Sequence, residues 1–257
     1  MKKIIIKLKQ NLPLLLAIIT SSWALNVSAN ATVGAGVSLS GTSEYKGYNS
    51  NSQYFPTINY EDDQFYFHVV SGGVFLFKAD RSAFLLGLSY FPKEFDASDS
   101  TDNHMQKLNN RHSTGMVDIG YRYGDPVLGT VSATMSADVL DETHGGWKLD
   151  LGYKNSIPIF PMVMISPGFG VSWYNEDLTE HYYGVSSNEA TRSTLNEYHP
   201  SSSISTYAEL GINVVLTQSM SLFVNGRYVW LNDEITDSPM VGSSHSFGTM
   251  LGVNFIF

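Results

Sequence analysis

Cysteine is absent from all 257 residues, which excludes disulfide stapling, thiol catalysis and an acylated amino-terminal cysteine. Positive charge is scarce: 15 Lys and Arg stand against 24 Asp and Glu, a net charge of −9. With so few cations to neutralise phosphates, nucleic acid is excluded as a partner. Beyond an apolar run near the amino terminus, no stretch approaches the roughly 20 consecutive apolar residues that a spanning helix needs. Any membrane span must therefore be a strand. What the chain does have is 22 Gly, 15 Tyr and 14 Phe, a composition that fits sheet better than helix.

The amino terminus reads as an export signal. Lys2, Lys3, Lys7 and Lys9 precede the apolar run "LPLLLAIIT", and "VSA" then "ANA" offer small-residue cleavage sites after Ala29 or Ala31, the pattern of a secretory signal. Residues 1–31 are set aside on that reading, and loss of the four lysines takes the net charge from −9 to −13. Residues 32–257 carry no repeat, low-complexity tract or linker and read as one domain.

Alternation with period two runs along nearly all of it. In "MSLFVNGRYVW", Met220, Leu222, Val224, Tyr228 and Trp230 share one face, while Ser221, Phe223, Asn225 and Arg227 share the other. "TYAELGINVVL" divides Ala208, Leu210, Ile212, Val214 and Leu216 from Tyr207, Glu209, Gly211 and Asn213. "GWKLDLGYK" and "MVDIGYRY" repeat the pattern, and no charge falls on these apolar faces. A soluble sandwich also alternates. Two features favour a membrane barrel. Charges of both signs recur on the polar faces, where a lumen can pair them, whereas Lys or Arg facing lipid near the midplane costs about 2–4 kcal/mol. Aromatic residues also gather near strand ends, as with Trp147, Trp173 and Tyr174, Tyr228 and Trp230, and Phe255 and Phe257, which suits girdles at the membrane interfaces.

The expected fold is thus all-β, a transmembrane antiparallel β-barrel of twelve strands, at 32–43, 54–61, 64–71, 74–79, 83–92, 113–124, 129–140, 146–155, 162–174, 205–216, 220–231 and 245–257. Ten strands is the alternative, because "VVSGGVFLFKAD" around Gly72 and Gly73 can also read as one bent strand, which gives ten if a further strand is misread as well. Short periplasmic turns, among them "DD", "DRS", "DPVL", "IPIFP" and "TQS", alternate with mostly longer loops at 44–53, 93–112, 175–204 and 232–244, and an even strand number returns both ends to the periplasm. The last strand, "SFGTMLGVNFIF", has a closing role, with Phe255 and Phe257 as the expected signal for the barrel insertion machinery.

Candidate chemistry is thin. His112–Ser113 and His245–Ser246 suggest hydrolysis, yet neighbours on a strand point to opposite faces, so no enzyme is expected and no cofactor is implied. The acidic groups Glu61–Asp63, Asp96/Asp99/Asp102, Glu176/Asp177/Glu180 and Asp233/Glu234/Asp237 lack the glycine and terminal glutamate of a calcium loop. They read as solvated loops, with bridging to lipopolysaccharide through divalent cations possible for those outside. His68, Asp118, Arg122, Lys148, Asp150, Lys154, Glu209 and Arg227 point inward. They form either a selectivity ring or a pairing network that fills a narrow interior.

The loops add a resemblance. "MQKLNNRHST", "HYYGVSSNEATRSTLNEYHP" and "LNDEITDSPMV" resemble the MipA/OmpV family of Gram-negative outer-membrane proteins, from the first mature strand to the last Phe. The matching positions are Leu108, Arg111, Ser113 and Thr114; Tyr182, Tyr183, Gly184, Val185, Arg192, Tyr198 and Pro200; and Asp233, Glu234, Asp237, Ser238 and Pro239. Asn109 and Asn110 depart from the acidic residues expected there, which puts a salt bridge to Arg111 in doubt. The resemblance implies an outer-membrane barrel in contact with lipid and lipopolysaccharide. For the best-known member it implies a scaffold joining a murein-cleaving lytic transglycosylase to a murein-synthesising penicillin-binding protein. Other members resemble adhesins or solute-linked and antibiotic-response proteins, so a small-solute channel and an adhesin acting through the 175–204 loop stand as alternatives.

Overall fold

A computed structural model describes residues 30–39, 41–48 and 52–257. The signal expectation therefore falls largely outside the described residues. Thirteen strand segments follow in order: β1 (Asn30–Leu39), β2 (Gln53–Glu61), β3 (Phe65–His68), β4 (Ser71–Lys78), β5 (Ser82–Phe91), β6 (Thr114–Asp125), β7 (Gly129–Asp138), β8 (Trp147–Lys154), β9 (Ile157–Phe160), β10 (Val163–Tyr174), β11 (Ser203–Thr217), β12 (Met220–Leu231) and β13 (His245–Ile256). Three short helices lie in the loops: α1 (Glu176–Tyr183), α2 (Ser187–Ser193) and α3 (Asp233–Thr236).

Each strand pairs antiparallel with its neighbours, and β13 pairs with β1 from Thr32↔Ile256 to Leu39↔Thr249, which closes the sheet. Segments β8 and β9 lie end to end along the same side of β10, so the barrel has twelve staves. Closure satisfies the backbone internally, as a span through hydrocarbon demands. The predicted faces hold: Leu210, Ile212, Leu222, Val224, Leu251 and Phe255 stand exposed on the outside, while Asp118, Ser136, Ser172 and Ser221 are buried inside. Trp147 and Trp173 meet edge to face at 4.9 Å.

The first strand, expected at 32–43, spans Asn30–Leu39, and two turns differ from expectation. The turn between β3 and β4 falls at Val69–Val70, not at Gly72–Gly73, and Val69 sits at φ 46°. The glycines serve packing instead: Gly73 pairs with Gly87, and a Cβ at Gly87 would lie 2.1 Å from the Tyr66 hydroxyl. "IPIFP" is not a turn but mostly strand β9, leaving Pro161 and Met162 as the connection. The Asn155 N–H reaches Pro167 O at 3.0 Å, so by alternation Pro158 turns its missing N–H toward the edge without a partner.

The apolar core lies outside the barrel wall. Tyr45, Phe95, Met105, Leu108, Leu178, Tyr182, Tyr183, Val185, Ile235, Met240 and Val241 form one buried cluster, drawn from the long loops at the end opposite the short turns. They make a cap over the outer mouth.

Candidate functional site

The cap is organised by two buried ion pairs. Glu44, just past β1, meets the ammonium of Lys93, just past β5, and accepts a 3.2 Å hydrogen bond from Tyr183 Oη. Lys93 Nζ lies 4.8 Å from the centre of the Tyr183 ring and 5.7 Å from those of Tyr45 and Tyr182, so rings and carboxylate together solvate the cation. Burial alone pushes the Glu44 carboxyl up, but Lys93 outweighs it and holds the group below its ordinary range. Burial pulls Lys93 down, and Glu44 together with Tyr45 and Tyr174 more than reverses this. The pair is charged throughout the neutral range.

The second pair joins two loops. Arg111 Nη2 lies 3.0 Å from Glu189 and donates to Gly184 O at 2.9 Å, with both side chains almost fully buried. Glu189 also accepts from the Asn109 N–H at 2.9 Å, from Ser186 Oγ at 2.8 Å and from the Ser186 N–H at 3.1 Å, the last completing a capping box at the start of α2. Burial raises its carboxyl, but the Asn109 N–H and Arg111 outweigh burial and leave it lowered. Arg111 thus takes its carboxylate from Glu189 and not from its own loop, where Asn109 and Asn110 stand: Asn109 Oδ1 accepts from Arg192 and Asn110 Oδ1 from the Ala97 N–H.

Most of the family-like residues converge here. Leu108, Arg111, Thr114, Tyr182, Tyr183, Val185, Pro200 and Ser238 are buried. Tyr182 Oη donates to His112 O at 3.1 Å, Ser238 Oγ to Tyr183 O at 2.6 Å, and Tyr198 Oη to Glu234 O at 3.0 Å. Ser113 meets Tyr90 Oη, and Pro239 O accepts from Lys46 Nζ. Gly184 leaves no room for a side chain, since a Cβ would come within 2.6 Å of Glu180. Arg192, Asp233 and Asp237 are exposed at the rim. Glu44, Lys93 and Glu189 were not among the predicted site residues, although "SSNE" is a capping-box sequence. The acidic groups behave as local caps: Asp96 accepts from the Ser98 N–H and Asp102 from the His104 N–H, while Glu176, Asp177, Asp233 and Glu234 occupy first helical turns. His245 contacts Ser243, and the His112 carbonyl serves Tyr182.

Inside, the predicted charges separate into clusters. Glu61 binds Lys78 at 3.1 Å, Arg122 at 2.8 Å and His68 at 3.5 Å. Lys148 pairs with Asp150, which also accepts from Ser172 Oγ. Glu209 lies 3.3 Å from Lys154 and 3.8 Å from Arg227, whose guanidinium stacks 3.7 Å over the Tyr207 ring. Asp118 is buried on the same inner face. Apart from Asp118, whose Oδ1 has no hydrogen-bond partner among the described residues, the charges form mixed-sign clusters rather than one ring of a single sign.

At the turn end, Val127, Leu128, Ile157, Ile159, Phe160 and Met162 are exposed. β7 stops pairing at Thr130↔Lys154, so among the described residues the β9–β10 tip projects with no strand on one edge.

Known proteins resemble this chain in sequence along most of its length. The sequence model of a family described as MltA-interacting protein MipA matches residues 33–257. The outer membrane protein YiaT of Escherichia coli K12 is 34% identical over 244 residues, covering 93% of this chain and 98% of that protein. The MltA-interacting protein of the same strain is 33% identical over 241 residues, covering 93% and 95%. Among solved structures, an outer membrane channel from Pseudomonas putida F1 aligns with a TM-score of 0.43 at 13% identity, covering 93% of this chain and 98% of that one.

Proposed function

The chain belongs to the MltA-interacting protein MipA family and is an outer-membrane β-barrel, and from that premise we propose that it docks murein enzymes at the periplasmic face. The partner is a murein-cleaving lytic transglycosylase, with a penicillin-binding protein as the second member of the assembly. One observation carries this reading: the barrel ends toward the periplasm in an apolar tip, with Phe160 65%, Leu128 71% and Val127 79% exposed. Contiguous apolar side chains rimmed by polar surface mark association sites, and such residues supply the centre around which a polar rim excludes water.

The alternatives have less to support them. The 175–204 loop, on which adhesion would depend, commits Leu178, Tyr182, Tyr183 and Val185 to the cap interior. An ion pore would have to run past the carboxylates of Glu61, Asp150 and Glu209, each already paired with a cation.

The test is co-purification of the full-length barrel in mild detergent with a lytic transglycosylase and a penicillin-binding protein. Recovery of the enzymes with the unaltered chain, and its loss in Phe160→Asp and Leu128→Asp variants that still fold, is the expected result. No enzyme recovered with the unaltered chain, or equal recovery with the variants, overturns the proposal.

A further inference from the structure

The wall of the barrel is incomplete on one side. β2 runs from Gln53 to Glu61, but β3 pairs with it only at Asn59, Tyr60 and Glu61, and one further bond joins the Val69 N–H to Ile58 O at 2.9 Å. Above that level, Gln53–Thr57 have no strand on their outer side among the described residues. On the other side of the short hairpin, β5 continues to Phe91 and bonds upward only as far as the Tyr90 N–H to Val70 O. Each strand residue climbs about 2.3 Å when tilted at 45°, so the five residues Gln53–Thr57 rise about 12 Å above the last β2–β3 bond. Among the described residues the wall beside them is open, and the opening narrows toward β5, where only Phe91 rises above the hairpin.

Both margins of this gap are finished in the same way. Residues 58 and 62 turn their backbone groups toward β3, and by alternation so does Pro56, which has no N–H to leave unpaired. Tyr90 turns its N–H toward β4, and by the same parity Pro92 faces the gap. Proline at an unpaired strand edge removes the donor that would otherwise be stranded. The remaining carbonyls still need solvation, because an open edge cannot face hydrocarbon directly and survives only where it lines a filled cavity. At the base of the gap Val69 holds φ 46°, a conformation rare for a β-branched residue and a form of strain that gathers at functional positions.

A cavity of about 720 Å³ opens there. Its lining crosses the wall: Val70, Tyr90 and Pro92 belong to the hairpin tip and the β5 margin, whereas Asn213, Asn225 and Asn254 lie on the inner face. The size suits a small organic ligand. Phe55, Phe223 and Met250 give the inner part an apolar floor beside the carboxamides, and its single cation, Lys154, is engaged by Glu209. Such a lining offers hydrogen bonds and apolar contact but no free charge.

We propose that the gap is a lateral portal through which an uncharged, largely apolar small molecule with a hydrogen-bonding group passes between the outer leaflet and the lumen. The loop cap lies above, and the portal opens sideways beneath it. This role is independent of docking at the periplasmic tip.

Because the chain has no cysteine, Asn225→Cys introduces a single thiol on the inner wall of the cavity. The full barrel carrying it is placed in phospholipid vesicles and labelled with N-(1-pyrenyl)maleimide, which is uncharged and dissolves in the bilayer. A sulfonated, charged methanethiosulfonate supplied from water is the comparison. Folding is verified by the heat-dependent gel shift of intact barrels. Val70→Trp, which fills the portal, is expected to slow the pyrene reagent severalfold and leave the charged one unchanged, while Tyr90→Ala, which widens it, accelerates the pyrene reagent. If one variant fails to fold, the other decides alone. Pyrene labelling that ignores the substitutions, or a parallel change in both reagents, overturns the proposal.

Discussion

Replacing Glu189 with Ala is expected to open the cap while leaving the barrel closed. Glu189 is 2% exposed and its partner Arg111 8%, and the carboxylate receives the guanidinium at 3.0 Å together with the Asn109 N–H and the Ser186 hydroxyl. Removing one member of a buried pair leaves the other charge uncompensated, at a cost of about 3–5 kcal/mol. Taking the lower bound, and a factor of ten for each 1.4 kcal/mol, the open population of the cap rises about 100-fold or more. Trypsin reads this change directly, since Lys107 and Arg192 lie in the segments that Glu189 ties together. Cleavage there accelerates by that factor when opening is fast relative to proteolysis. Glu189→Gln, which retains an acceptor for the Asn109 N–H, falls between the two. Replacing both charges, as in Arg111→Met with Glu189→Met, costs less than Glu189→Ala alone because no charge is left buried. A Glu189→Ala barrel cut at Lys107 and Arg192 as slowly as the unaltered protein refutes the reasoning, as does a double variant whose cost equals the sum of the two singles.

Two further expectations concern acid and assembly. The Glu44 and Glu189 carboxyls are both lowered in the folded cap. Their contribution is therefore fully present above the unfolded value of about 4.3 and is lost as the pH falls below it; near-ultraviolet circular dichroism of the buried Tyr45, Tyr182 and Tyr183 should fade in that window while the strand signal persists, and simultaneous loss of both signals counts against a separately stabilised cap. Phe257→Ser, at a residue whose N–H bonds to Ala31 O at 3.1 Å beside the closing seam, is expected to lower the amount of folded barrel in the outer membrane, and normal membrane levels contradict that.

Strand identity was legible because lipid outside and water inside force a period of two, and Leu222, Val224 and Asn225 obey it without regard to distant partners. Turn positions were less legible where a residue had another task. Gly72 and Gly73 look like a turn, yet Gly73 and its partner Gly87 make room for the Tyr66 ring, and the turn falls instead on valines. Two prolines made "IPIFP" look like a connection, although Pro158 loses nothing at an unpartnered edge. The lumen charges could be placed on the inner face from alternation, but not paired, since Glu61 meets Arg122 across three intervening strands. The cap was the least accessible part. Tyr183 is buried by Glu44, Lys93 and Ser238, which come from three other loops and share no local periodicity with it.

That dispersal has a consequence for the order of events during biogenesis. Tyr45 bridges Val241, the Lys46 N–H bonds to Met240 O at 2.9 Å and the Gly242 N–H to Glu44 O at 2.8 Å, so the first loop and the last are stitched together directly above the β1–β13 seam. Such contacts cannot form until the first and last strands have met, because only closure brings those two ends of the sequence side by side. The cap is then the final step of assembly and latches the last seam to form. A barrel stalled short of closure would lack these contacts between its first and last loops.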